Sequence, residues 1–303
     1  KIEMYGQTYH CWRDKGHGYM SLKNAIKQSC DIYFYEVARL LGVDKLNLTA
    51  EKFGLGKKVL GEYFPNEKQG IFPSTKWKKK AIGQNWYLGE TFITGIGQGY
   101  IQTNPLQLCL MTAQLANGGY KIYPRIDLKK NQDTVEQIKN KMRQMNKISQ
   151  KKDNSIFKAT ENFFGTKTKE YTPLYKNSEN IKFVLDAMFK STNELYGTSY
   201  KSRIEDPKYQ FAGKTGTSQV KRITKAERKL DLKIDQIPYK DRDHAWYIAF
   251  GPYRNPRYSV SILVEHGGSG SKVAAPIAKK LFKLIIDRHE LREQIKSKNK
   301  MNI

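Results

Sequence analysis

The chain has 303 residues, 54 Lys and Arg against 29 Asp and Glu, and a formal net charge of +25. Its 39% hydrophobic content supports one large domain or two small ones. No apolar run approaches the roughly eighteen residues of a membrane span, no signal peptide opens the chain, and three cysteines do not make a disulfide framework.

In chain order, SLKNAIKQSCDIYFYEVARLLG comes first, from Ser21 to Gly42. Apolar residues at Leu22, Ala25 and Ile26, then Ile32, Phe34, Tyr35, Val37, Ala38 and Leu41, predict two helices interrupted near Ser29–Asp31 and stopped by Gly42. Ser29 and Asp31 on such a turn can both face one cleft, or can simply cap the second helix. Gly95-Ile96-Gly97-Gln98-Gly99 follows, without the Lys-Ser/Thr or the preceding βαβ pattern of a phosphate loop. Thr103 or Asn104 then caps a helix with Pro105 in its first turn and Leu106, Leu110, Ala113 and Leu115 on one face. Asp127 to about Thr172 is a polar stretch that reads as a surface insertion. Three strands are expected at Phe211–Val220, Ala245–Pro252 and Tyr258–Glu265, the first two separated by a charged loop over about 221–243. A final helix spans Val273–His289, followed by a basic tail over 291–303.

Within the first strand, Lys214-Thr215-Gly216-Thr217 offers an ammonium, two hydroxyls and a side-chain-free position. A sheet edge carrying these groups can bond a peptide-like substrate along its backbone and hold a carboxylate at its end. The net charge would ordinarily suggest nucleic acid. The basic residues, however, are dispersed through Lys76–Lys80, Lys129–Lys152 and Lys221–Lys233 without a recognition motif. No nucleic-acid partner is expected, and anionic head groups or cell-wall polymer suit the charge.

Lys-Thr-Gly is the third element of the active-serine set of penicillin-binding proteins and class A β-lactamases. Taken in order, Ser29-Cys30-Asp31, GIGQGYIQTNPLQL, KTGT, HAWYIAFGPY and YSVSILVEHGGSG resemble the transpeptidase domain of class B penicillin-binding proteins, in particular the elongation (penicillin-binding protein 2) branch. The resemblance runs from about Tyr9 to Phe282. It implies an α/β (α+β), serine β-lactamase/transpeptidase-like fold, an antiparallel sheet between helix layers, filling most of residues 1–290. The family's nucleophilic Ser-x-x-Lys belongs ahead of Ser29, where Ser21 is followed at the third position by Asn24. Later matches at Ser149, Ser155, Ser218, Ser269 and Ser297 lie on the wrong side of the motif. The chain therefore reads as a fragment lacking the nucleophile helix and the first strands, inactive alone, with one edge of Tyr258–Glu265 left unpaired.

The resemblance further implies a peptidoglycan D,D-transpeptidase that cross-links stem peptides ending in D-Ala-D-Ala and is inhibited by β-lactams. It would work with a glycosyltransferase and other elongation-complex proteins at the periplasmic face of the bacterial inner membrane, on an anchor outside this chain. A division-type transpeptidase, a β-lactamase and a penicillin-sensing receptor domain share the fold. In this family Ser29 would relay a proton, Asp31 would orient the substrate amide or its own turn, and Lys214 would lend positive charge. Thr215 and Thr217 would bind the substrate carboxylate, Gly216 would keep the strand clear, and the Thr217 N–H would be half of the oxyanion hole. No catalytic cofactor is implied. Cys11, His17 and Cys30, a Cys-x₅-His-x₁₂-Cys arrangement, resemble the metal-binding segment of some relatives and imply a structural zinc ion, with Cys11 in place of an acid. Two buried thiols and a surface imidazole are the alternative.

Overall fold

A computed structural model describes residues 1–4, 6–124, 126, 172–221, 230 and 232–301. The expected polar insertion falls almost wholly outside these residues, as does the first part of the charged loop. The N-terminal part opens with a hairpin, β1 (Ile2–Met4) and β2 (Gln7–Tyr9), which the sequence does not announce. Six helices follow: α1 (Leu22–Gln28), α2 (Asp31–Leu41), α3 (Val43–Lys52), α4 (Thr75–Ile82), α5 (Leu88–Gly95) and α6 (Pro105–Ala116). Asn104 caps α6, its side chain accepting from the Gln107 N–H at 2.9 Å, with Pro105 at the first helical position as expected.

Beyond residue 172, α7 (Ser178–Asn193) precedes a sheet of three antiparallel strands, β3 (Ala212–Ser218), β4 (His244–Gly251) and β5 (Tyr258–Val264), in that spatial order. Each strand lies within a residue or two of its expected span. Among the described residues β3 and β5 are both outer strands, β5 paired to β4 from Tyr258↔Gly251 to Val264↔Ala245.

Alternation along β4 explains the layers. Ala245, Tyr247 and Ala249 face one side, where they pack with Ala275, Ala278, Phe282 and Ile286 of α8 (Ala275–Met301). Phe250 turns to the other side, with Met188 of α7 and Leu115 of α6. The sheet thus lies between helix layers. Phe282 is fully buried and stacks on Phe211 at 5.0 Å between centroids; burying such a ring contributes about 2–3 kcal/mol. The final helix is longer than expected: a π-helical turn at Gly270–Ala274 leads into α8, which continues to Met301 through the segment read as a tail. Its apolar side ends with Ile286, and beyond that residue the strongly helix-favouring Glu, Leu, Arg and Lys of the sequence continue the helix.

One buried tie sets the height of β3. The Tyr247 hydroxyl bonds Thr192 Oγ1 of α7 at 2.9 Å and Ser199 Oγ at 3.0 Å. A Cβ on Gly213 would lie 2.3 Å from that hydroxyl oxygen, so the residue before Lys214 must be glycine for the strand to close over Tyr247.

Candidate active site

The first half of the site is a turn that interrupts one helix and starts another. Ser21 accepts from the Asn24 N–H at 3.3 Å and opens α1. At its end Ser29 adopts the left-handed conformation, φ 54° and ψ 54°, and Cys30 N–H returns to the Ala25 carbonyl at 3.0 Å. Such backbone is costly for a residue with a side chain and persists where surroundings hold it. Ser29 therefore ends α1, and it is Cys30, without a side-chain cap bond, that precedes α2. The helix-capping alternative for Ser29 does not describe this turn.

The surroundings that hold it come from Trp12, which no sequence pattern marked. Its indole Nε1 donates to the Ser29 carbonyl at 2.8 Å and the Gln28 carbonyl at 3.2 Å. Its backbone N–H donates to Asp31 Oδ2 at 2.8 Å. Asp31 is thus spent on the loop before α1. Burial raises its carboxyl pKa, opposed by the Trp12 N–H, the Lys214 ammonium, the Cys11 thiol and His17.

The second half is β3. Lys214 Nζ donates to Ser29 Oγ at 2.5 Å and to the Thr215 carbonyl at 3.0 Å. By surface area the whole residue is half-buried, yet its ammonium end is enclosed, and loss of water pushes its pKa down to about 8 against the pull of Asp31. Thr215 Oγ1 donates to Thr198 Oγ1 at 3.2 Å, and Thr198 bonds Ser191 of α7 at 3.1 Å, so a line of hydroxyls backs the strand. Thr217 is exposed. Gly216 is crowded from behind: a Cβ on it would meet Trp246 Cβ at 3.3 Å, and one on Gly270 would lie 2.8 Å from the Gly216 carbonyl oxygen. The Gly-rich run after β5 is needed for that close approach.

The structure therefore brings Ser29, Asp31, Lys214 and the Thr215–Thr217 strand into one cleft. It also brings in Gln98, whose Nε2 donates to the Thr217 carbonyl at 2.5 Å and whose Oε1 accepts from Gln219 N–H at 3.4 Å. Of the Ser-x-x-Lys matches after the motif, Ser218 accepts from the Trp246 indole at 2.9 Å and Ser269 pairs with Ser271 at 3.1 Å.

Beside the turn, the ligand atoms of Cys11, His17 and Cys30 lie within 4.8 Å of one another, with Cys11 Sγ 3.4 Å from His17 Nδ1. Both cysteines are buried, and His17 Nε2 is buried without a partner among the described residues. Burial first, then Arg13, lowers the imidazole pKa and keeps the ring in its neutral, ligating form. Two thiols and a neutral imidazole in a pocket slightly wider than a coordination sphere fit zinc after a small contraction.

The family profile described as Penicillin binding protein transpeptidase domain matches residues 1–283. The chain is 32% identical over 279 residues to the peptidoglycan D,D-transpeptidase MrdA of Salmonella typhimurium, covering 92% of this chain and 40% of that protein. The crystal structure of Pseudomonas aeruginosa PBP2 in complex with WCK 5153 is similar at a TM-score of 0.69 and 32% identity, over 94% of this chain and 53% of that one. The Helicobacter pylori PBP2 in its complex with MreC is similar at a TM-score of 0.69 and 29% identity, over 93% of this chain and 44% of that one. The chain thus spans about half or less of the proteins it resembles.

Proposed function

The chain belongs to the penicillin-binding protein transpeptidase family, and from that premise we propose that it acts in a peptidoglycan D,D-transpeptidase of cell-wall elongation. The single observation that carries the reading is the contact of Lys214 Nζ with Ser29 Oγ beside the outward edge of β3. A lysine with a pKa of about 8 hydrogen-bonded to a hydroxyl can hold a carboxylate and exchange a proton near neutral pH.

In the proposed reaction a serine nucleophile attacks the penultimate D-Ala carbonyl of a stem peptide, terminal D-Ala leaves, and a neighbouring amine takes the acyl group. Splitting amide exchange into two acyl transfers lowers each barrier. Ser29 passes the proton toward the leaving amine, Lys214 supplies charge, and the Thr217 hydroxyl receives the carboxylate, joined by that of Thr215 once it turns from Thr198. The Thr217 N–H faces the developing oxyanion, where one such donor contributes about 10²-fold in rate. The substrates are D-Ala-D-Ala stem peptides, with β-lactams as inhibitors. The work is shared with a glycosyltransferase and other elongation-complex proteins at the periplasmic face of the inner membrane. Among the described residues no helix is long and apolar enough to cross a membrane.

Fluorescent penicillin tests the reading. The full-length gene product is expected to form a stable covalent adduct and to release D-Ala from a stem pentapeptide. The 303-residue chain, which has no Ser-x-x-Lys ahead of Ser29, is expected to form none. No adduct on the full-length product, or an adduct on the chain alone, would overturn the assignment. We also propose that Cys11, His17 and Cys30 hold a structural zinc ion that fastens the loop of Trp12 to the Ser29–Asp31 turn. Elemental analysis of the full-length gene product should find about one zinc per protein, these side chains filling three of the four positions of a tetrahedral structural site. Loss of that zinc in Cys11→Ser and His17→Ala is expected, and an unchanged content would remove the site.

A further inference from the structure

Gln98 lies in the loop after α5, between Gly97 and Gly99 at φ +80° and +76°. Its backbone is tied to that helix, Gln98 N–H to the Ile93 carbonyl at 3.0 Å and Gly97 N–H to the Thr94 carbonyl at 3.0 Å. Only the side chain is free to turn.

Alternate residues of a strand present their peptide groups to the same edge. Thr215, Thr217 and Gln219 are in phase. The Thr215 carbonyl accepts from Lys214 Nζ, the Thr217 carbonyl from Gln98 Nε2, and the Gln219 N–H donates to Gln98 Oε1. All three therefore face the edge away from β4, the edge that borders Ser29. A carboxamide bonding a backbone carbonyl and the N–H two residues later makes the pair of bonds that one residue of an added strand makes. The shorter bond, at 2.5 Å, is the one to Thr217, next to the Lys214–Gly216 segment.

We propose that Gln98 is a specificity-determining residue: its carboxamide closes the β3 edge at Thr217 and Gln219, and an extended ligand whose amide reaches Thr217 must displace it. This inference rests on the acyl-transfer reading above. The displacement weighs only on ligands that carry an amide to that position. Gln98 thereby sets how far along β3 a peptide pairs. Release takes a side-chain rotation, since the loop backbone stays on α5.

The test uses the full-length gene product and two β-lactams, one with an acylamino side chain and one with no side-chain amide. Second-order acylation rates are measured for the unmodified protein, Gln98→Ala and Gln98→Glu. Both variants remove the donor to Thr217, and Gln98→Glu keeps the length of the side chain should the alanine variant misfold. The ratio of amide-bearing to amide-free rates is expected to rise about fivefold in each, the scale of one net hydrogen bond. An unchanged or lower ratio would overturn the proposal, a lower one by showing that Gln98 holds the ligand. If the unmodified protein reacts with neither compound, the acyl-transfer reading itself fails and the inference falls with it.

Discussion

The two halves of the cleft are built in opposite ways. Strand β3 is regular: its seven residues pair with β4 from Ala212↔Phe250 to Ser218↔His244, and Lys214 projects from a ladder that neighbouring strands already hold. The Ser29 turn is irregular, with a non-glycine residue in left-handed backbone held by one tryptophan and a half-buried carboxylate. A ladder spreads its stability over many bonds, whereas the turn concentrates it in a few side chains. Substitutions of the Lys214 side chain, which projects from β3, should therefore change chemistry with little effect on folding, unlike changes at the closely packed Gly213 and Gly216. Substitutions around Trp12 should change both.

Lys214→Ala is the sharpest probe of the first half. In the full-length gene product it should lower β-lactam acylation by about 10²-fold, the scale for loss of a preorganised charge. Thermal melting should be unchanged or slightly higher, because a poorly hydrated ammonium is removed. A clear fall in melting temperature would show that β3 depends on the lysine and would break the contrast. Trp12→Phe probes the second half, since it deletes the indole N–H that bridges the Gln28 and Ser29 carbonyls while keeping an aromatic ring. Denaturant titration should show a loss of about 1 kcal/mol, one net hydrogen bond. Acylation should fall about tenfold with Lys214 intact, as expected when a catalytic group is misplaced.

The smallest effect expected is with pH. Burial holds the Lys214 pKa at about 8, so kcat/KM for acylation should fall to half near pH 8 as the ammonium is lost. Stability should move the other way. Between about pH 8 and the unfolded lysine value near 10.4, the unfolded chain binds the proton and the folded chain does not, so this group's contribution to stability rises with pH. Lys214→Met should abolish both trends, and a pH profile flat through 8 in the unmodified protein would contradict the assigned shift.

What was legible in the sequence follows the same division. β3, β4 and β5 stand where apolar and β-branched runs place them, and the break at Ser29–Asp31 shows in the apolar spacing of α1 and α2. The Cys11, His17 and Cys30 side chains do gather, as their resemblance to a metal segment suggested. The holding contacts were not legible, because they join distant positions through single side chains. Trp12 reaches across 16 and 17 residues, and Gln98 reaches 119 residues along the chain to Thr217. Composition did not set Lys78 apart within Lys76–Lys80. Lys78 is only 1% exposed; it pairs with Glu90 at 2.5 Å and lies over the Tyr87 ring at 4.5 Å. A buried ammonium satisfied in this way leaves no mark in a lysine-rich segment.

The central claim is that Ser29 and Lys214 act as one unit across the cleft, and a double-mutant cycle on acylation tests it most directly. Rates are compared for the unmodified full-length gene product, Ser29→Ala, Lys214→Ala and the double variant. If the hydroxyl and the ammonium share one proton path, the double variant should be within about twofold of the slower single variant, because groups that act as a unit are strongly non-additive. A double variant slowed by the product of the two single effects would contradict the account and leave their 2.5 Å contact without a shared role.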